Sequence, residues 1–252
     1  WGYFARKYLK YSEQIMVKKS DLVICDSDGI EQYIKKSYDK FTPKTIFIAY
    51  GANVVKSKLS INDDKIVNWY QKFKIKQGEY YLIVGRFVPE NNYRTMISEF
   101  MKSKTRKDLV IITNYKENKF YDDLKAETNF LNDKRIKFVG AVYDEELLKK
   151  IREESFAYLH GHSVGGTNPS LLEALASTRI NLLYNIGFNK EVAKDGALYW
   201  SLEPGDLQKL IKKTDNLKAS EVDELDNLST ERITREYSWR KIIEQYENVF
   251  LR

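Results

Sequence analysis

The chain has 252 residues, 42% of them apolar and 13% aromatic, enough to bury one large or two modest cores. Forty-two Lys and Arg against 36 Asp and Glu leave a net charge of +6, which suits anionic ligands such as nucleotide diphosphates or a membrane surface and does not single out nucleic acid. A single cysteine excludes a disulfide framework, and no run approaches the roughly 20 apolar residues of a membrane span.

The opening, WGYFARKYLK, has neither an initiator Met nor a signal-peptide pattern, so the chain reads as a fragment of a cytoplasmic protein with Cys25 a reduced, buried thiol. Residues 4–19 are expected to form a helix, with Phe4, Tyr8, Tyr11 and Ile15 on one side and Arg6, Lys7, Lys10, Lys18 and Lys19 elsewhere. That face is either simply solvated or a surface for anionic lipid headgroups. A short strand over 21–25 runs into Asp26-Ser27-Asp28, where Ser27 or Asp28 is expected to cap a helix over 29–36. A second strand covers 45–50 and ends at Gly51, a polar linker follows over 56–64, and Ile66, Trp69, Tyr70 and Phe73 return to helical spacing.

From about residue 79 strands and helices alternate. Strands are expected over 80–84, 109–113, 136–139, 156–159 and 180–184, and helices over 93–102, 119–129, 145–152, 169–177 and 189–194. This alternation predicts an α/β fold with a parallel sheet covered on both faces, whose ligands sit at the carboxyl ends of the strands. The tail, 229–252, reads as one long helix with Trp239, Ile242, Ile243, Tyr246, Val249 and Phe250 as a core stripe. No zinc spacing, RNA-binding signature, P-loop or G-x-S-x-G elbow appears.

The most informative stretch is 158–177, YLHGHSVGGTNPSLLEALAS. It reads as strand, glycine-bearing loop and helix, a layout that turns free backbone N–H groups toward an anion. Gly165 and Gly166 allow close backbone approach, Asn168 is a good N-cap, and Pro169 falls where its missing N–H costs nothing. Both histidines of the chain, His160 and His162, lie here, either as ligand hydrogen-bonders or as satisfied structural imidazoles. Glu173, one turn into the helix, suits a sugar hydroxyl better than a phosphate. Upstream, Gly85-Arg86 follows the first strand of the alternating region and offers a fixed, charged fork for a diphosphate.

HGHSVGGTNPSLLEA resembles the donor motif of GT-B retaining glycosyltransferases of family 4, and more closely that of bacterial rhamnosyltransferases of capsule and cell-wall polysaccharide synthesis. The resemblance covers nearly the whole chain. The family motif holds two glutamates; the second matches Glu173 and the first falls on Gly165. A family lysine five residues beyond Gly-Arg is here Asn91, for which Arg94 is a substitute. The resemblance implies a Rossmann-like donor domain at 75–230, preceded by the end of an acceptor-side domain at 1–55 and a linker and helix at 56–74. A terminal helix at 231–252 is expected to pack back on the first domain. It implies Arg86 and His162 as catalytic residues. Gly85, Asn114, Val142, Tyr143, His160, Gly165, Gly166, Thr167, Asn168, Ser170, Leu171 and Glu173 are implied as nucleotide-sugar contacts, with Val142 or Tyr143 against the base. The expected reaction is transfer of L-rhamnose from a dTDP-linked donor to a lipid-diphosphate-linked saccharide at the inner face of the cytoplasmic membrane, with no metal or cofactor. Alternatives are a UDP- or GDP-sugar donor; a non-catalytic binding module, motivated by Gly165 and Asn91; and a metal-dependent GT-A enzyme using Asp26 and Asp28.

Overall fold

The computed structural model describes residues 2–116 and 119–251. Trp1 and Arg252, the ends of the expected first domain and tail helix, lie outside them. The first unit holds α1 (Tyr3–Lys19), β1 (Val23–Cys25), α2 (Asp28–Ser37) and β2 (Thr45–Phe47), with β1 and β2 paired in parallel. Ser27 Oγ accepts the Ile30 N–H at 3.1 Å, so the Asp-Ser-Asp turn caps α2. Val17, Val23, Cys25, Ile34 and Tyr38 form its small core.

An irregular segment then leads to α3 (Asp64–Phe73). The alternating region follows as β3 (Tyr80–Val84), α4 (Tyr93–Lys102), β4 (Asp108–Ile112), α5 (Lys119–Thr128), β5 (Ile136–Phe138), α6 (Glu145–Glu153), β6 (Ala157–His160), α7 (Pro169–Leu175), β7 (Asn181–Tyr184), α8 (Gly187–Ala193) and β8 (Leu198–Trp200). The strands form one parallel sheet in the order β5-β4-β3-β6-β7-β8. Its central strands are apolar over nearly all their length, apart from Asp108 at the start of β4 and His160 at the end of β6, because both faces are covered. One face packs Tyr81, Ile83, Leu109 and Leu159 with Ile97 and Phe100 of α4. The other packs Tyr80, Leu82, Val110 and Tyr158 with Ile66 and Trp69 of α3 and Ile151 of α6.

The stretch 195–228, inside the expected donor domain but without an assigned element, contains β8, then α9 (Asp206–Thr214) and the first part of α10 (Ala219–Glu236). One sequence expectation gives way. The tail is not one helix: α10 ends at Glu236 and α11 (Trp239–Phe250) starts afresh. The break has a partner, since the freed Tyr237 carbonyl accepts the Ala52 N–H of the first unit at 2.7 Å. The apolar stripe of α11 is core only in part. Ile242 is buried and Val249 partly so, against Ile48, Ala49 and Ala52, whereas Trp239, Ile243, Tyr246 and Phe250 are exposed.

Candidate functional site

Strand order reverses direction between β3 and β6: one half of the sheet grows outward from β3 to β5, the other from β6 to β8. Loops leaving the carboxyl ends of two such neighbours diverge, and the crevice between them is where α/β sheets hold ligands. Here those loops are 85–92 and 161–168. Ser163 N and Oγ both donate to the Glu90 carbonyl, at 3.0 and 2.7 Å, and Asn92 Nδ2 donates to the Gly161 carbonyl at 2.8 Å. Buried Asn91 donates through Nδ2 to the Arg86 carbonyl at 2.8 Å, fixing the turn that carries Arg86.

A cavity of about 510 Å³ opens at this crevice. Gly85, Arg86, Asn114, Val142, Tyr143, Ser170 and Glu173 all line it, so seven of the residues singled out in the sequence share one space. Arg86 is exposed, and no carboxylate pairs with it among the described residues. Arg94 does not substitute for the lysine replaced by Asn91: its guanidinium is forked onto Glu127 at 2.5 and 2.9 Å.

Arg152 was missed in the sequence. Its side chain is 5% exposed, and its Nη2 lies 2.7 Å from Glu173 Oε2 and 3.3 Å from Ser170 Oγ. Ser170 Oγ in turn lies 3.1 Å from the Tyr158 hydroxyl, and the Tyr158 hydroxyl donates to the Val84 carbonyl at 3.0 Å. This chain of bonds holds α7 and Glu173 against the end of β3. Oε1 of the half-exposed Glu173 has no partner among the described residues and remains an acceptor for a ligand hydroxyl. The signal for Arg152 was a cation four residues beyond Leu148, at the edge of the apolar side of α6.

His160 and His162 stack with ring centroids 4.3 Å apart and planes within 10°. His160 is fully buried beneath, with neither nitrogen hydrogen-bonded; His162 packs over Gly85, where a Cβ would meet its Cε1 at 3.1 Å. Burial first, and the Arg86 charge second, push His162 down to about 4, and burial pushes His160 well below the ordinary imidazole range. Both rings are therefore neutral at pH 7, and His162 acts as a hydrogen-bonding group rather than a cation. The unfolded chain protonates position 162 near 6.5 and the folded one only near 4. The unfolded state thus binds more protons in that window, and stability falls as pH drops from about 6.5 to 4, by about 3 kcal/mol for this group. His162→Gln is expected to flatten that part of a pH–stability curve measured by urea unfolding.

The remaining loop residues divide. Leu171 lies in the core, and Asn168 caps α7 by accepting the Leu171 N–H at 3.2 Å. Leu171 and Leu172 N–H groups are both held by Asn168, and Pro169 has none, so in the first turn only the Ser170 N–H lacks an acceptor among the described residues. The richer donor set is the loop itself, where no N–H from Val164 to Asn168 has an acceptor among the described residues. Gly166 packs on Asp26, whose carboxylate a Cβ would overlap, and Thr167 Oγ1 donates to the Asp26 carbonyl. Burial holds the Asp26 carboxyl above the usual range. Gly165, at φ +119°, lines a larger cleft of about 890 Å³ between α2 and α8. Of this loop Gly165 alone lines the α2/α8 cleft, and the Arg86 cavity is lined instead by Pro169, Ser170 and Glu173 just beyond it. No group of three or more metal-ligating side chains occurs among the described residues.

Comparison with known proteins bears on this geometry. Solved structures share the fold across 96–97% of the chain at low identity. Sucrose-phosphate synthase from Thermosynechococcus elongatus aligns with TM-score 0.78 at 14% identity, and HepE from Anabaena, solved with UDP and glucose, with TM-score 0.79 at 14%. A glycosyltransferase from Rickettsia africae aligns over 96% of the chain with TM-score 0.76 at 17% identity. These are GT-B enzymes in architecture, as the sequence led us to expect, and the chain spans 61%, 66% and 67% of their respective lengths. No protein of curated function matches in sequence. Residues 1–53 match a domain of unknown function, DUF1972, and residues 65–235 match the family described as glycosyl transferases group 1. That second match spans more than half of the chain and the whole six-stranded sheet, so the protein belongs to the group 1 glycosyl transferases.

Proposed function

We propose that the protein is a retaining family 4 glycosyltransferase that moves L-rhamnose from a dTDP-linked donor to a lipid-diphosphate-linked saccharide in surface polysaccharide synthesis. The observation that carries the donor site is the unpaired Arg86 guanidinium sharing a cavity with Glu173, which Arg152 holds in place, on a turn hydrogen-bonded to the glycine-bearing loop. In this reading the base lies along Val142 and Tyr143, the 3′-hydroxyl of the deoxyribose meets Glu173 Oε1, the diphosphate spans Arg86 and the loop, and the sugar faces the α2/α8 cleft.

Breaking the anomeric C–O bond passes through an oxocarbenium-like state, while negative charge grows on the departing diphosphate. Arg86 and the loop N–H groups stabilise that charge more strongly in the transition state than before it. Neutral His162 adds a hydrogen bond without a charge that would compete for the phosphate. Rhamnose is supported by the resemblance of the loop and by its chemistry. Gly165 has no carboxylate for a sugar hydroxyl, and neighbouring Val164, 61% exposed, suits the methyl group of a 6-deoxyhexose. A UDP-sugar is the second reading, favoured by the UDP complex of HepE.

Calorimetric titration with dTDP, UDP and GDP, with and without EDTA, tests the reading. The expected result is selective dTDP binding that ignores EDTA and weakens about tenfold in Glu173→Ala, the loss of one charged hydrogen bond. Preference for UDP or GDP keeps the site and changes the sugar. Failure of all three to bind overturns the assignment of the cavity.

A further inference from the structure

Helix α1 has two faces with different roles. Glu13 and Val17, four residues apart, face the first unit: Val17 is buried, and Glu13 accepts from the Tyr33 hydroxyl at 2.8 Å and the Tyr38 hydroxyl at 2.5 Å. On the opposite side Phe4, Tyr8, Tyr11 and Ile15 form a stripe at helical spacing, exposed by 84, 70, 63 and 44%. Singly exposed apolar residues are ordinary; four in one stripe on one helix mark a surface that something covers.

Charge decides what covers it. Lys7 stands three residues from Phe4 and four from Tyr11, and Lys18 and Lys19 stand three and four from Ile15, so cations flank the stripe on both sides. The one acid of α1, Glu13, is turned inward and occupied. A second copy docked face to face would bring lysines against lysines with no carboxylate between them. A bilayer with anionic headgroups meets both requirements at once: acyl chains for the rings and Ile15, phosphates for the lysines.

We propose that α1 is a membrane-surface helix which seats the protein on anionic lipid, lying in the interface plane with Phe4, Tyr8, Tyr11 and Ile15 toward the acyl chains. The inference stands on the first unit alone and does not depend on the donor reading, which nucleotide titration tests separately.

The test is co-sedimentation with vesicles of phosphatidylcholine mixed with phosphatidylglycerol, against pure phosphatidylcholine, at low and high salt, with sedimentation velocity run without lipid. The expected result is binding to the anionic vesicles only, released by salt. Lys7→Gln/Lys18→Gln/Lys19→Gln is expected to bind about a hundredfold more weakly, at about fivefold per lysine near a charged surface. Phe4→Ser/Tyr8→Ser/Tyr11→Ser is expected to abolish binding while melting at the parent's temperature, because the three rings are exposed. Three results overturn the proposal: no sedimentation, equal binding to pure phosphatidylcholine, or a lipid-free dimer that the serine variant splits, which would make a second copy the occupant.

Discussion

Arg86→Ala is expected to slow sugar transfer roughly 10²–10³-fold, the typical loss on removing one preorganised donor from a developing oxyanion, and to weaken nucleotide diphosphate binding at the same time. The size of the effect follows from the lack of a reserve. Two cations line the cavity, and Arg152 is bound to Glu173. Asn91 is buried under the Arg86 turn, and Arg94 is held by Glu127. Nothing else in the cavity carries a positive charge to the diphosphate. Arg86→Lys keeps the charge and loses the planar fork, so it is expected to fall between wild type and alanine. Initial rates with a labelled nucleotide-sugar, paired with calorimetry on the same variants, separate transition-state loss from binding loss. A wild-type rate in Arg86→Ala, or a large loss in Arg94→Ala, would move the phosphate site elsewhere.

Gly161→Ala is expected to be among the most destabilising small substitutions in the chain. A Cβ at this position would overlap the Asn91 carbonyl oxygen and crowd the Met96 methyl at 2.9 Å. The carbonyl is backbone and is fixed by the stitched loops 85–92 and 161–168, so it has little room to yield. Overpacking of this kind costs about 3 kcal/mol at the upper end of the usual range, or roughly 6–12 °C in melting temperature for a domain of this size. Thermal unfolding by circular dichroism checks it. Gly187→Ala, where no atom lies within 4 Å of the added carbon, is the matched control. If both variants melt alike, the two loops are less rigidly joined than their hydrogen bonds imply.

Much of the fold was legible because the sheet is buried on both faces. β3, β4 and β6 then read as short continuous apolar runs, and the helices between them as three-four patterns. The segment after residue 194 carries both signals only briefly: β8 is three residues long, and the apolar pattern of α9 is a single turn of Leu207, Leu210 and Ile211. The end of α10 was also invisible. Nothing in Glu236-Tyr237-Ser238 breaks a helix by itself; a hydrogen bond from Ala52, 185 positions earlier, offers the carbonyl another partner.

Of the site, residues that follow a strand directly were readable, since strand ends are where ligands bind. Arg152 was not, because it reaches the cavity from the last turn of a helix whose sequence explains itself as amphipathic. Nor was the placing of Gly165 in the α2/α8 cleft rather than in the Arg86 cavity. Gly165 and Gly166 look equivalent on paper; the positive φ of the first and the Asp26 carboxylate packed on the second set them apart.

The break at Tyr237 has a mechanical consequence. The polypeptide passes between the two units twice, outward through the irregular segment before α3 and back through the turn that hands over to α11. Two crossings define an axis. The two crossings, together with the apolar cluster that Ile48, Ala49 and Ala52 share with α7 and α11, oppose sliding and twisting of the units more than a rocking about the line joining the crossings. Gly51, against whose α-carbon the Trp239 ring is pressed, sits at that pivot. A rocking that opened the α2/α8 cleft would therefore also shift the Asp26 contact with the glycine loop.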